Sequence, residues 1–273
     1  MPSELVKKYY RTDNLPHIWC PGCGNGIVTR AIVKAIDTLG LDKNNVCIVS
    51  GIGCSSRAPG YLDFNTLHTT HGRALAFATG VKLANPELEI IVVTGDGDSS
   101  AIGGNHLIHA CRRNINLTTI VFNNNTYGMT GGQYSPTTPT GDKGTTAPYG
   151  NIDPSFDLCK LSAAAGASYV ARGTIFAANM LEKSIVEAIQ NKGFSLVEAY
   201  TTCPTYYGRK NKKGSPVDMA TYLKDNAVNV VAWDKLSAEK KVGKFVIGKL
   251  HEETRPEYTK AYDELVESLA KGD

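Results

Sequence analysis

A chain of 273 residues, 42% hydrophobic and 20% charged, is long enough for one sizeable core with an appended arm. A net charge of +3, with no long basic run and no interleaved stacking aromatics, argues against a nucleic-acid binder, and no apolar stretch approaches the roughly 18 residues of a membrane span. The polar, charged start, Met1 to Arg11, is unlike a signal peptide, so a cytoplasmic protein is expected.

In chain order the first chemical feature is Cys20-Pro-Gly-Cys23, a C-x-x-C compatible with a redox dithiol, half a zinc site or part of an iron–sulfur site. Asn25 to Leu39 then places Ile27, Val28, Ala31, Ile32, Ala35, Ile36 and Leu39 on one side at helical spacing, and Gly40 stops the helix. Val46 to Val49 reads as a buried strand running into Gly51, Gly53 and Cys54. His68 and His71 flank a tight polar turn, where a lone histidine is ordinarily a structural hydrogen-bond partner. Arg73 suits either an anion contact or a helix start.

Glu89 to Val93 is the next strand, opening into Gly95-Asp96-Gly97, and Leu117 to Phe122 another, ending at Asn123, Asn124 and Asn125. Tyr127 to Ile152 is rich in Gly, Thr, Pro and Ser without periodicity, which predicts a long functional loop. Ser195 to Tyr200 is a further strand, just before Cys203. From Lys210 the chain is strongly charged and closes on a helical pattern over Pro256 to Lys271.

Short apolar runs alternating with amphipathic stretches predict an α/β fold, a mostly parallel sheet with helices on both faces. Residues 1–213 would form the ligand-binding unit and 214–273 an arm packing on it or on a partner. In an open parallel sheet ligands bind beyond the carboxyl ends of the strands, and the polar motifs all follow strands, so they share one rim. Asp96 and Asn124 lie 28 positions apart (124 − 96), room for a helix and a return strand. A carboxylate and an amide carbonyl at adjacent strand ends suit Mg²⁺, and the turn's N–H groups suit a diphosphate. Of the seven cysteines, Cys47, Cys111 and Cys159 sit in apolar or helical patterns and read as core residues.

A GDG followed by NN at this distance is the thiamine-diphosphate motif. Together with WCPGCG (19 to 24), GIGCSS (51 to 56), HGRALAFATGVKLANP (71 to 86), GDGD (95 to 98), NNNTYGMTGGQ (123 to 133) and CPTYYGRKNK (203 to 212), it resembles the β subunit of 2-oxoacid:ferredoxin oxidoreductases over Trp19 to Lys212. The resemblance implies the diphosphate-binding domain of the thiamine-diphosphate fold, with Mg²⁺ held by Asp96, Asn124 and the Thr126 carbonyl. The cofactor would be surrounded by Ile52, Gly53, Cys54, Ser55, His71, Gly95, Gly97, Asp98, Gly128, Met129, Thr130, Gly131, Gly132 and Gln133.

Cys54 and Cys203 each follow a strand and so project onto the same rim, where with Cys20 and Cys23 four thiolates could converge. Zinc suits such a set equally well. The Cys203-Pro204 pair, the neighbouring catalytic cofactor and the family's own cluster favour [4Fe–4S]. A one-electron acceptor beside the thiazolium selects oxidation after decarboxylation of a 2-oxoacid, with coenzyme A taking the acyl group and ferredoxin the electrons. Arg209, Lys210, Lys212 and Lys213 suit an acidic ferredoxin, a partner subunit or plain solvation.

No pyrimidine-binding domain with its activating glutamate is found, so an α subunit is expected to complete the site. The GRKNK and TGGQ segments most resemble family members acting on 2-oxoglutarate, with pyruvate and branched-chain 2-oxoacids as alternatives, and either direction of flux is open. A non-oxidative thiamine-dependent decarboxylase would have no use for four converging cysteines. A zinc-stapled binding subunit, with the GDG loop only a turn, is the alternative of another class.

Overall fold

Val46–Ser50 and Glu89–Gly95 carry apolar residues at successive positions, so both faces of these strands must be covered. In the computed structural model, which describes residues 3–271, they are. Ile91 and Val93 enter one core with Val28, Ile32 and Ile36 of a helix and Leu181 and Ile185 of another. Ile90 and Val92, one residue out of step, enter a second core with Leu75, Leu107 and Leu158 on the opposite face. Each such Ile, Leu or Val contributes roughly 1.5–3 kcal/mol on burial.

The sheet consists of β1 (Val46–Ser50), β2 (Asn65–His68), β3 (Glu89–Gly95), β4 (Thr118–Asn123), β5 (Tyr169–Thr174), β6 (Ser195–Tyr200), β7 (Ala227–Asn229) and β8 (Phe245–Glu252). Its order is β2-β1-β3-β4-β6-β5-β8-β7, and every pairing is parallel except that of β5 with β8. After a short α1 (Glu4–Tyr9), α2 (Asn25–Thr38) covers the first face together with α6 (Ala178–Gln190). The other face carries α3 (Ala74–Ala84), α4 (Gly104–Arg113) and α5 (Leu158–Ala164). The chain moves from β1 to β2 on one side and returns to β3 on the other, so the loops after β1 and β3 diverge and open a crevice between them.

The expected α/β architecture is present, with strand and helix bounds within two residues of those read from the sequence. Ile27, expected on the buried side of α2, is 42% exposed instead. Residues 214–273 hold α7 (Pro216–Asn226), α8 (Val230–Trp233), α9 (Ala238–Lys241) and α10 (Tyr258–Ala270). They pack on the body and extend the sheet by β8 and β7. No helix among the described residues is long and apolar enough to cross a membrane.

Candidate functional site

The crevice at the ends of β1, β3 and β4 holds a cavity of about 60 Å³. Ile52, Gly53, Cys54 and Ser55 border it after β1, Gly95, Asp96, Gly97 and Asp98 after β3, and Asn124 and Thr126 after β4, with His71, Gly128, Met129 and Thr130 closing the sides. Asp96 is 2% exposed, and its Oδ2 accepts the hydroxyls of Ser135 at 2.5 Å and Thr137 at 2.7 Å. Burial pushes its carboxyl up to about 6, against the pull of those hydroxyls. The Asn124 side-chain Oδ1 accepts the Thr126 backbone N–H at 3.3 Å, which closes the turn carrying both residues.

Two buried groups on this wall lack protein partners: both amide atoms of Asn25, which is wholly buried, and the Ser55 hydroxyl. A buried amide with neither atom paired is costly unless a ligand completes it. The donor set of a carboxylate, amide oxygens and a hydroxyl is the set that a hard cation and a diphosphate take, so the residues fit magnesium and thiamine diphosphate. Gly97 is needed for a close approach: a Cβ there would lie 2.3 Å from the Tyr127 ring, whose hydroxyl donates to the Gly97 carbonyl at 3.2 Å.

Asp98 touches the cavity, yet its carboxylate is engaged by the protein. It accepts the Gly72 amide at 2.7 Å, the Ile52 amide at 3.4 Å and the Thr94 hydroxyl at 2.7 Å, and it pairs with His71 Nδ1. Asp98 thus ties the loops after β1, β2 and β3 together and leaves Nε2 of His71 for the cavity. His68 makes the structural hydrogen bond expected of it, Nδ1 to Ser50 Oγ at 3.1 Å. Arg73 donates to the Ile102 carbonyl at 3.2 Å and staples its loop.

Gly131, Gly132 and Gln133 are not brought to the cavity wall. Gly131 and Gly132 turn the chain at φ +113° and +85°, and Gln133 is folded back on Thr130, accepting its hydroxyl at 2.7 Å. Conversely, Asn25, Phe122 and Tyr127 line the cavity unforeseen. Tyr127 lies inside the NNNTYG motif and Asn25 directly follows Gly24, the last residue of WCPGCG, so proximity to a motif was the available signal.

A second cavity, of about 160 Å³, is bordered by Cys20, Cys23, Cys54 and Cys203. Cys54 Sγ and Cys203 Sγ lie 3.3 and 3.6 Å from where a Cβ on Gly128 would sit. The Trp19 indole N–H donates to the Cys54 carbonyl at 2.6 Å and fixes that turn. Burial, with neighbouring thiols adding to it, pushes Cys54 up to about 12 and Cys23 up to about 11. A nucleophilic dithiol needs the opposite shift. No three of the four sulfurs come within 4.8 Å of one another. Cys47, Cys111 and Cys159 are buried, as expected.

Comparison with known proteins agrees with this geometry. The family described as thiamine pyrophosphate enzyme, C-terminal TPP binding domain, matches residues 51–199. The chain is 54% identical to the 2-oxoglutarate synthase subunit KorB of Methanocaldococcus jannaschii, over 96% of this chain and 97% of that one. It is 47% identical to the 2-oxoacid:ferredoxin oxidoreductase subunit beta of Saccharolobus solfataricus, over 69% of this chain and 62% of that one. Among solved structures, the 2-oxoglutarate:ferredoxin oxidoreductase from Magnetococcus marinus, with 2-oxoglutarate, coenzyme A and succinyl-CoA bound, superposes with a TM-score of 0.87 at 32% identity, covering 99% of this chain and 92% of that one. A thiamine-diphosphate domain matching over half the chain, and near full-length relatives at this identity, place the chain in the family of β subunits of the 2-oxoacid:ferredoxin oxidoreductases, thiamine-diphosphate-dependent enzymes.

Proposed function

We propose that this chain supplies the magnesium–diphosphate site and a [4Fe–4S] cluster to a 2-oxoglutarate:ferredoxin oxidoreductase that forms succinyl-CoA. The observation that carries this reading is a shared wall: Cys54, Asn124, Gly128 and Met129 border both the diphosphate cavity and the cysteine cavity. The sulfur spacing favours a cluster over zinc, because tetrahedral zinc with Zn–S near 2.3 Å draws its sulfurs to about 3.8 Å apart. The substrate follows the relatives of near full-length coverage, which are named for 2-oxoglutarate. Residues 1–213 are taken as the cofactor-bearing unit and 214–273 as its arm.

Thiamine diphosphate, when bound, supplies the nucleophilic carbon and electron sink for decarboxylation, and the cluster held by Cys20, Cys23, Cys54 and Cys203 supplies one-electron redox capacity beside it. Asp96, Asn124 and the Thr126 carbonyl would hold Mg²⁺, with Ser135 and Thr137 fixing the Asp96 carboxylate. Asn25 and Ser55 offer the polar groups that lack protein partners, and His71, oriented by Asp98, presents Nε2. Tyr127 and Met129 border the same cavity.

Asp96 and Asp98 are the only carboxylates on this cavity among the described residues, and both are committed. The glutamate that thiamine catalysis requires is therefore assigned to an α subunit docking at the mouth, where Ile52 and Met129 are 36% and 44% exposed. Coenzyme A accepts the acyl group, and exposed Arg209, Lys210 and Lys212 beyond the Cys203 turn suit an acidic ferredoxin. No basic groove for nucleic acid is assigned.

The test is anaerobic purification of the complete enzyme with iron, sulfide and zinc assays and spectra before and after dithionite. Iron and sulfide near four each per chain, with a visible band that bleaches, support the reading. Stoichiometric zinc without a chromophore refutes it.

A further inference from the structure

The magnesium reading uses Asp96, Asn124 and Thr126 but leaves a buried acid unexplained. Glu198 stands mid-strand in β6, its side chain 1% exposed, in register with Val121 of β4 and Arg172 of β5. A carboxylate in the core of a parallel sheet needs a partner, and Arg172 Nε donates to its Oε2 at 2.6 Å. Arg172 also donates to Asp157 at 2.6 Å, and the Cys159 thiol donates to Glu198 Oε2 at 3.3 Å. With a guanidinium in its midst, this acid cluster is no cation site.

The other carboxylate oxygen points toward the active site. Oε1 accepts Nδ2 of Asn123, the last residue of β4, at 2.7 Å. An amide can face either way, but a carboxylate only accepts, so the NH₂ must turn to Glu198. That leaves Asn123 Oδ1 to accept the Asn125 backbone N–H at 3.1 Å, closing a turn in which Asn125 takes φ +60° between the ligands Asn124 and Thr126. The same Oδ1 lies 3.1 Å from the Thr137 hydroxyl, which donates to Asp96 Oδ2 at 2.7 Å.

We propose that Glu198 is a positioning residue for the metal site: it fixes the orientation of the Asn123 amide, and through it the Asn123–Thr126 turn that carries Asn124 and Thr126. This rests on the magnesium–diphosphate reading above. A glutamine in its place sets a donor against a donor wherever it turns. Facing its NH₂ to Arg172 opposes the guanidinium, and facing it to Asn123 forces that amide to flip and present NH₂ to the Asn125 N–H.

The experiment is a magnesium titration of thiamine diphosphate binding to the complete enzyme by equilibrium dialysis, alongside thermal unfolding. Glu198→Gln is expected to raise the half-saturating magnesium concentration by about 10–100-fold, the usual cost of losing an outer-shell partner. Asn123→Ala, which leaves the Arg172–Glu198 pair intact, should give a similar shift, and the double variant should be no worse than Asn123→Ala alone. Asp157→Asn removes the negative charge on the other side of Arg172 and should lower the unfolding midpoint without moving the magnesium titration.

Equal magnesium affinity in wild type and Glu198→Gln, or an equal shift in Asp157→Asn, would make Glu198 merely structural. If Glu198→Gln does not assemble, an unchanged titration in Asn123→Ala overturns the relay from its other end. Wild-type binding with no magnesium dependence removes the magnesium reading itself, and this inference with it.

Discussion

Asp96→Asn tests the metal site on the metal-free chain, before any turnover is measured. Burial raises the Asp96 carboxyl from an ordinary 3.8 to about 6. Folding therefore favours the protonated form. The stability this group contributes is fully present below about pH 3.8, is lost as pH rises toward 6, and stays lost above it. The difference of about two pH units corresponds to about 3 kcal/mol at neutral pH. Asparagine does not titrate, so the stability of Asp96→Asn relative to wild type should climb by about 3 kcal/mol between pH 4 and 6 and then level off.

The assay is urea unfolding in a chelator at half-unit pH steps. Added magnesium and thiamine diphosphate should reverse the order at pH 7, since wild type gains about 4.1 kcal/mol at a thousandfold excess over the dissociation constant and Asp96→Asn gains little. A stability difference flat from pH 4 to 7.5, or equal stabilisation of both proteins by the cofactor, refutes the reasoning.

Cys54→Ala should abolish bound iron, whereas Cys47→Ala, on the opposite side of β1 and remote from the cysteine cavity, should keep its iron and cost about 1 kcal/mol of stability; colorimetric iron on the two purified variants separates them. Gly128→Ala adds a methyl between two sulfurs, so iron content and the visible band should fall while the chain still folds, as circular dichroism would report. Asp98→Ala leaves the Gly72 and Ile52 amides and His71 without an acceptor and should cost about 2–3 kcal/mol or more. Asp98→Asn keeps an oxygen for those donors and can donate to the Thr94 hydroxyl, so its loss in the same urea assay should be about 1 kcal/mol.

The central strands were legible because β1, β3 and β4 are buried on both faces and their sequences are continuous apolar runs. β2 (NTLH) and β5 (YVARGT) were not. β2 is an edge strand with exposed ends, and Arg172 in the middle of β5 makes sense only once Glu198 of β6 lies beside it. β8 pairs antiparallel on β5 from more than 70 residues away, a partnership that no local pattern encodes. The site divides in the same way. Groups that line the cavity from a strand end carry a signature of residue type, as Asp96 and Asn124 do. Ser135 and Thr137 are ordinary polar residues until the fold aims them at Asp96, as Asn123 is until it meets Glu198. Cys159, read as core, is buried as expected, yet its thiol is bonded to Glu198.

Sheet order accounts for the closeness of the two cavities. Cys54 follows β1, Asp96 follows β3, Asn124 follows β4 and Cys203 follows β6, and these four strands are neighbours in that sequence across the sheet. Adjacent strands lie about 4.8 Å apart, so the outermost of the four ends are separated by only about 14 Å. Cys54 and Cys203 arrive from the outer two strands and meet over the inner two, where Gly128 has no side chain to hold them apart. One rim of one sheet thus brings the Asp96 and Asn124 side chains and the sulfurs onto a common wall.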